Sequence, residues 1–575
     1  MSANKALPAP ERGLLSAARA RLLQTHNGPA AGEAAIPWPT GIASAAGKEY
    51  LAYLQAADAF YAARWDEARQ GFAGLARAAD PCVAETAAYM QVRTELAAAM
   101  ARSIDEYGFF QGLKSVDKAA AGRGRAALAA YLKAWPKGRY AASARGLERR
   151  ALWLSADFGG LAQRYEQLLA AVPASSEEMV TLVQEIDNKL LFDSENTSPR
   201  ADGPLLLATI DLMQLRVADP ADKDSGVKPG IDAAALAGQQ AEFMRAPDLY
   251  SFVLANHAFY VAKDYARVLS LIPDDARRRS YGPLAFSRQV LRGQALAARG
   301  DRNEAGFWRE LLGGAEAIWQ RPTVELALAM NLERHGEVAA VFAKDSPITD
   351  RQTRAILLAH SAGPDLLRSA AQSSASPRQE RDEALFILLY KQLARGRYAG
   401  FLANRALLPA DAQMEGKFSF APYQALGLGV FAKGRAMEAG FACPALAATA
   451  QTLAADPRNV RAQLCLGEFW RLNGFDDFTA LDIAPPASQL GGAVSGFPGL
   501  PNRRGGFYEA AIADPRAASV DKAYALYRLV RCYAPSGFSS CGGADAPKAQ
   551  RKAWFDQLHR EFPKSAWAQK LRVYW

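Results

Sequence analysis

The chain has 575 residues, half of them hydrophobic, with 68 Lys plus Arg against 59 Asp plus Glu and a net charge of +9. No apolar run approaches the roughly 18–20 residues that a membrane-spanning helix needs, so a soluble chain is expected. The basic residues fall singly on helix faces and in turns, which predicts an ordinary solvated surface; no nucleic-acid partner is expected, with an anionic partner such as nucleic acid or a membrane surface as the other reading.

Residues 1–48 predict one short helix, Pro10 to Gln24, and then a Gly/Pro-rich lead-in whose Ile36-Pro37-Trp38-Pro39 cannot be helical. The first residues, Met1 to Arg19, lack the apolar core of a signal peptide. Gly41 to Lys48 is a poor phosphate loop, because it has one residue too many and Glu49 stands where Ser or Thr is required.

From Glu49 onward the pattern is one of helical hairpins, divided as blocks 49–200, 201–440 and 441–575. A small-residue helix runs into a basic turn closed by an aromatic residue or glycine. The phrase reads Ala62-Ala63-Arg64-Trp65, Ala262-Lys263-Asp264-Tyr265, Ala298-Arg299-Gly300-Asp301 and Ala394-Arg395-Gly396-Arg397-Tyr398. A second phrase, Trp135-Pro136-Lys137-Gly138-Arg139-Tyr140-Ala141, returns near the C-terminus as Phe562-Pro563-Lys564-Ser565-Ala566-Trp567-Ala568. Recurring helical hairpins predict an all-α solenoid of antiparallel pairs that presents a long surface to a partner.

Three stretches interrupt the rhythm. Ser103 to Arg125 carries the aromatic run Tyr107-Gly108-Phe109-Phe110-Gln111-Gly112, expected to be exposed, and Asp193 to Gly203 is polar. The longest is the irregular loop 485–506, with Phe497 and Leu500 beside Arg503 and Arg504; apolar residues at that density predict an ordered loop packed on the helices.

Of five cysteines, Cys82 stands alone, while Cys532 and Cys541 bracket a Pro/Gly/Ser turn and Cys443 and Cys465 fall on consecutive predicted helices. Zinc prefers close CxxC-type pairs or clustered histidines, and neither occurs, so two disulfides are expected, with buried free thiols as the other reading. Disulfides imply an oxidising compartment and hence an exported mature form; the missing leader, taken literally, implies cytoplasm.

Catalytic patterns are scarce. The histidines, His26, His257, His335, His360 and His559, have no metal-ligand spacing, and Gly537-Phe538-Ser539-Ser540-Cys541 lacks the closing glycine of a nucleophile elbow. His335 before Gly336 reads as a helix-end cap. Trp308, Trp319, Trp470 and Trp554 occupy apolar helical positions and read as core. No cofactor or metal is expected.

The densest chemistry lies between Asn502 and Gly543. On a predicted helix from Ser519 to Tyr533, Tyr524, Tyr527, Arg528 and Arg531 share one face, and Arg503, Arg504, Tyr508 and Tyr533 lie nearby. Tyr and Arg dominate protein-binding hot spots, so these eight residues form the candidate partner site. The plainer reading is that the tyrosines are core and the arginines, Arg516 among them, cap helices or pair with Asp514 and Asp521.

Ala56, Trp65, Ala68, Phe72, Leu75 and Pro81 match the spacing of a tetratricopeptide unit, and Gly293, Gly300 and Ala305 match the same register. The chain thus resembles a divergent tetratricopeptide-repeat protein. Its Trp135-Pro136-Lys137 and Phe562-Pro563-Lys564 segments resemble turns of the outer-membrane assembly lipoprotein BamD (YfiO) group. That resemblance implies a periplasmic, non-catalytic scaffold of the Gram-negative envelope that binds a protein or peptide partner. The alternative function is a helical-superstructure enzyme acting on cell-wall glycan, of lytic-transglycosylase type, which would need a Glu general acid in a groove.

Overall fold

A computed structural model of the chain describes residues 4–27, 36–174, 176–196, 201, 203–216, 231–316, 318–437, 440–476, 478–533, 539–542 and 545–574. Among these residues it is all-helical, with 28 α-helices, no strand and only two isolated β-bridges. The chain divides into two compact units, Met1–Pro273 and Asp274–Trp575, so the division falls inside the 201–440 block. No helix among the described residues is long and apolar enough to cross a membrane.

In the first unit the lead helix spans Ala9–Asn27. Glu11 ties it to the following segment by accepting the amides of Ala43 and Ser44 and the Ser44 hydroxyl. The predicted tetratricopeptide-like positions fall on three successive helices, Ala45–Tyr61, Trp65–Gly74 and Pro81–Met100, with Ala56, Ala68 and Phe72 buried between them. Small residues matter here because the helices approach closely: a Cβ added at Gly71 would collide with that of Ala56. From the Ala9–Asn27 helix to the Glu177–Ile186 helix each packs on the next, and several helices also touch the next but one.

The recurring turn phrase has a single backbone cause. At Ala63, Ala156, Gly300, Gly336, Gly396 and Gly474 the chain takes a positive φ. The following amide then reaches back five residues: Arg64 to Ala59, Asp157 to Leu152, Asp301 to Leu296, Glu337 to Leu332, Arg397 to Gln392 and Phe475 to Trp470. This is the Schellman closure, which satisfies carbonyls that a helix end leaves unpaired. Lys263 holds the same conformation, but its helix ends in a wider turn and Asp264 bonds six residues back, to Ala258. The Ser155-Ala156-Asp157 and Gly474 copies escape the sequence phrase because neither carries its basic residue.

A left-handed residue with a side chain costs about 1–2 kcal/mol. Gly396→Ala is therefore expected to destabilise by about 1 kcal/mol, a purely conformational loss, since an added Cβ meets nothing nearer than 3.6 Å. Ala63→Gly should be neutral or stabilising. Thermal melting of the two variants checks both signs.

The second repeated phrase also marks equivalent backbone. Trp135 and Phe562 are each the C-cap of a helix, with φ −128° and −131°, and the next helices begin at Ala141 and Ala566. A further device was not foreseen from the sequence. In three places a glutamate on one helix accepts the leading amides of the helix two further on. Glu49 takes Ala79 and Asp80, Glu166 takes Leu205 and Leu206, and Glu325 takes Thr349 and Asp350. Each carboxylate thereby meets the positive end of a helix.

The core of the second unit is built on the Arg378–Ala394 helix, whose residues from Glu383 to Ala394 are all buried. The segment predicted as the ordered loop 485–506 lies against this helix and ends earlier than expected, because Arg504 opens the Arg504–Ala513 helix. Phe497 is buried beneath it, whereas Leu500 points to solvent. Trp308 and Trp470 are core as expected, Trp554 is half-buried and Trp319 is exposed. His335 caps its helix, its Nδ1 lying 2.8 Å from the Asn331 carbonyl.

Candidate functional site

The Arg/Tyr constellation of the second unit folds inward. Arg504 is buried and its guanidinium grips both carboxylate oxygens of Asp476, at 2.6 Å each. It also donates to the Tyr508 hydroxyl at 3.1 Å and to the Ser540 carbonyl at 3.1 Å. Arg528 donates to the Tyr524 hydroxyl at 2.8 Å and pairs at 3.2 Å with Glu468, which is 0% exposed. Arg471 closes on the other oxygen of Glu468 at 2.7 Å.

Burial works against both arginine charges, yet the tyrosine and carboxylate partners outweigh it and hold Arg504 and Arg528 above the usual guanidinium range. Burial pushes the Tyr508 and Tyr524 phenols up. These groups are thus fixed in one protonation state, which suits structural pairing and not proton transfer.

The outcome corrects the expected binding face. Arg504, Tyr508, Tyr524, Arg528 and Tyr533 are interior and cannot greet a partner. Arg531 is exposed, and Arg503 and Tyr527 are partly so. Of the two nearby acids, Asp514 pairs with Arg516 as the plainer reading expects, whereas Asp521 is held at 2.6 Å by Arg461, which lies outside the constellation. An i, i+3, i+4, i+7 stripe marks the buried face of an amphipathic helix as readily as a binding face, and here the stripe packs on Phe441 and Trp567.

Both expected cysteine pairs are brought together, Cys443 with Cys465 and Cys532 with Cys541, with Cα separations of 5.5 and 5.4 Å. Cys82 is free and exposed. Of the bracketed loop, residues 534–538 lie outside the described residues, as do Gly543 and the terminal Trp575.

A small cavity lies beside the Arg504–Asp476 pair, lined by Tyr390, Asp476, Asp482, Arg503, Arg504 and Cys541 among others. Its volume of about 20 Å³ is that of a single water and not of a substrate. Arg503 pairs with Asp482, which also accepts the Tyr390 hydroxyl at 2.8 Å. Among the described residues no three His, Cys, Asp or Glu side chains gather as a metal-ligand group.

The first unit offers the contrasting case. The aromatic run of the first interruption forms a tight turn closed by a bridge between Ile104 and Phe110. Asp105 organises it: one carboxylate oxygen accepts the Tyr107 and Phe109 amides at 3.0 and 2.8 Å, and the other accepts Gln111 Nε2 at 2.7 Å. Gly108 supplies the positive φ at the tip. Phe110 anchors the base on Trp153, with ring centroids 5.0 Å apart. Tyr107 and Phe109 are left 78% and 68% exposed. Two aromatic rings are thus held in water on a turn whose own hydrogen bonds are made.

Set against known protein families, characterised proteins and solved structures, this chain matches none. Its function therefore has to be argued from its own residues.

Proposed function

We propose that this chain is a non-catalytic helical-repeat scaffold of an extracytoplasmic, periplasm-like compartment, and that it binds a protein or peptide partner. The observation that carries the reading is the pinned turn presenting Tyr107 and Phe109 to solvent. Exposing two large rings is unfavourable unless a partner covers them, and a turn ordered in advance loses little entropy on binding. Support for the repeat architecture, of tetratricopeptide type with BamD-like turns, comes from the recurring Schellman closure and the next-but-one glutamate contacts. The two cysteine pairs favour an oxidising compartment. Relocating the site to this turn keeps the scaffold reading and abandons the C-terminal Arg/Tyr face.

A photo-crosslinking residue placed at Glu106, on the rim of the turn, tests this in the cells that make the protein. We expect one dominant protein adduct, lost when Tyr107 and Phe109 are both changed to Ser, with the melting temperature unchanged. Two aromatic hot spots together should weaken partner binding by at least ~30-fold. Unchanged crosslinking in the double variant would overturn the placement. Turnover of peptidoglycan by the purified chain would overturn the non-catalytic reading.

A further inference from the structure

The segment 483–503 of the second unit crosses the buried Arg378–Ala394 helix and is held by few bonds. Gly491 N donates to Glu333 Oε2 at 3.0 Å, Gly496 N to the Ser361 carbonyl at 2.9 Å, and Asn502 N to the Ala394 carbonyl at 2.6 Å. Arg395 Nε reaches the Gly499 carbonyl at 3.1 Å. Beneath it sits Lys391, 1% exposed, with no hydrogen bond or ion pair among the described residues. Its amine lies 5.7 Å from the centroid of the Phe497 ring, which also takes the Arg395 guanidinium at 5.4 Å. Arg395 Nη1 and Asp482 Oδ1 are buried without partners. A lone amine, a second cation and an apolar ring are thus stacked under one irregular segment.

We propose that the 483–503 segment is a proton-controlled strap, which closes over a neutral Lys391 and loosens when that amine takes up a proton beside Arg395. Opening would uncover the charged interior around Asp482, Arg503 and Arg504. The groups that set the balance come from each neighbouring element. Arg395, the C-cap of the same helix, opposes the charge, Asp482 from the Thr479–Asp482 helix favours it, and among the described residues no charged group of the Pro364–Gln372 or Tyr398–Arg405 helix acts on it. His360, from the Arg351–His360 helix, is pushed down to about 4 by burial and by Lys391, so it stays neutral throughout. Glu333 holds the strap at Gly491, and Arg503 anchors its C-terminal end on Asp482.

Burial first, and Arg395 second, push Lys391 down to about 7 from an ordinary 10.5. The uncovered amine keeps its proton up to the higher value and the covered amine only up to the lower one. Closure therefore strengthens as pH rises from about 7 to about 10.5, and is weakest, without further change, below 7.

Hydrogen exchange of the full chain, corrected for intrinsic rates, tests the proposal. Protection of the strap amides should rise between pH 7.5 and 9.5 by up to ~10-fold per pH unit, the slope of one linked proton. In Lys391→Met it should be higher at pH 7.5 and flat. In Lys391→Arg, which keeps its charge, it should be low and flat. A flat wild-type profile, or a slope that survives Lys391→Met, would overturn the strap.

Discussion

Replacing Glu468 by Gln is expected to cost the protein on the order of 3–5 kcal/mol, read as a fall in its urea midpoint. The carboxylate is fully buried and holds Arg528, itself buried, while Arg471 closes on its second oxygen. Glutamine keeps the shape and removes the charge, so the loss reports the carboxylate's attraction for the buried Arg528 and not a cavity. Arg471 can turn its head toward water, since its side chain is partly exposed, but Arg528 cannot. The double variant Glu468→Leu with Arg528→Met should then lose less than the two single losses summed, because a buried pair exchanged for apolar groups is often close to neutral. Strict additivity would show that the two groups are not paired.

Gly293→Ala is expected to destabilise by about 3 kcal/mol, although alanine is the better helix former. A Cβ at position 293 would overlap three carbons of the Trp308 indole, which is fully buried and donates to Glu304 at 3.1 Å. Glu304 is in turn fixed by Arg334, so the ring has no free direction in which to retreat. Trp308→Leu on its own should also be costly. Combined with Gly293→Ala it should recover part of the alanine penalty, a coupling that a thermal double-mutant cycle reads directly. An alanine variant melting at or above the wild type would refute the close packing.

The helices and their turns were legible because both are local. Small residues, a glycine and the onset of a new apolar period fix the turn at Gly300 or Gly396 within a few positions. The aromatic turn at Tyr107 was legible for the same reason, and so were the cysteine pairs from their short spacings, although Cys443 lies just ahead of the Leu446–Ala455 helix and not on a helix as expected. The interior of the second unit was not. Arg504 meets Asp476 across 28 positions and Arg528 meets Glu468 across 60, and a helix face alone does not reveal which side is covered. The glutamates at 49, 166 and 325 carried a readable signal, one acid ahead of each later helix start, but they look like any surface glutamate until the amides they serve are known. The start of the Arg504–Ala513 helix was missed because Gly505 and Gly506 read as loop, although two glycines in a first turn can be carried by packing on either side.

The left-handed turns have a consequence for how this chain can change over time. Their geometry is written in main-chain bonds, such as Arg64 to Ala59 and Arg397 to Gln392, and among the described residues the same bend is occupied by glycine in four places and alanine in two, with lysine at the wider variant. Side-chain identity at the bend is therefore a matter of about 1–2 kcal/mol and not of shape. A chain built this way can exchange most of its letters while each turn keeps its bend, so that the path of the backbone is written in a grammar looser than its alphabet.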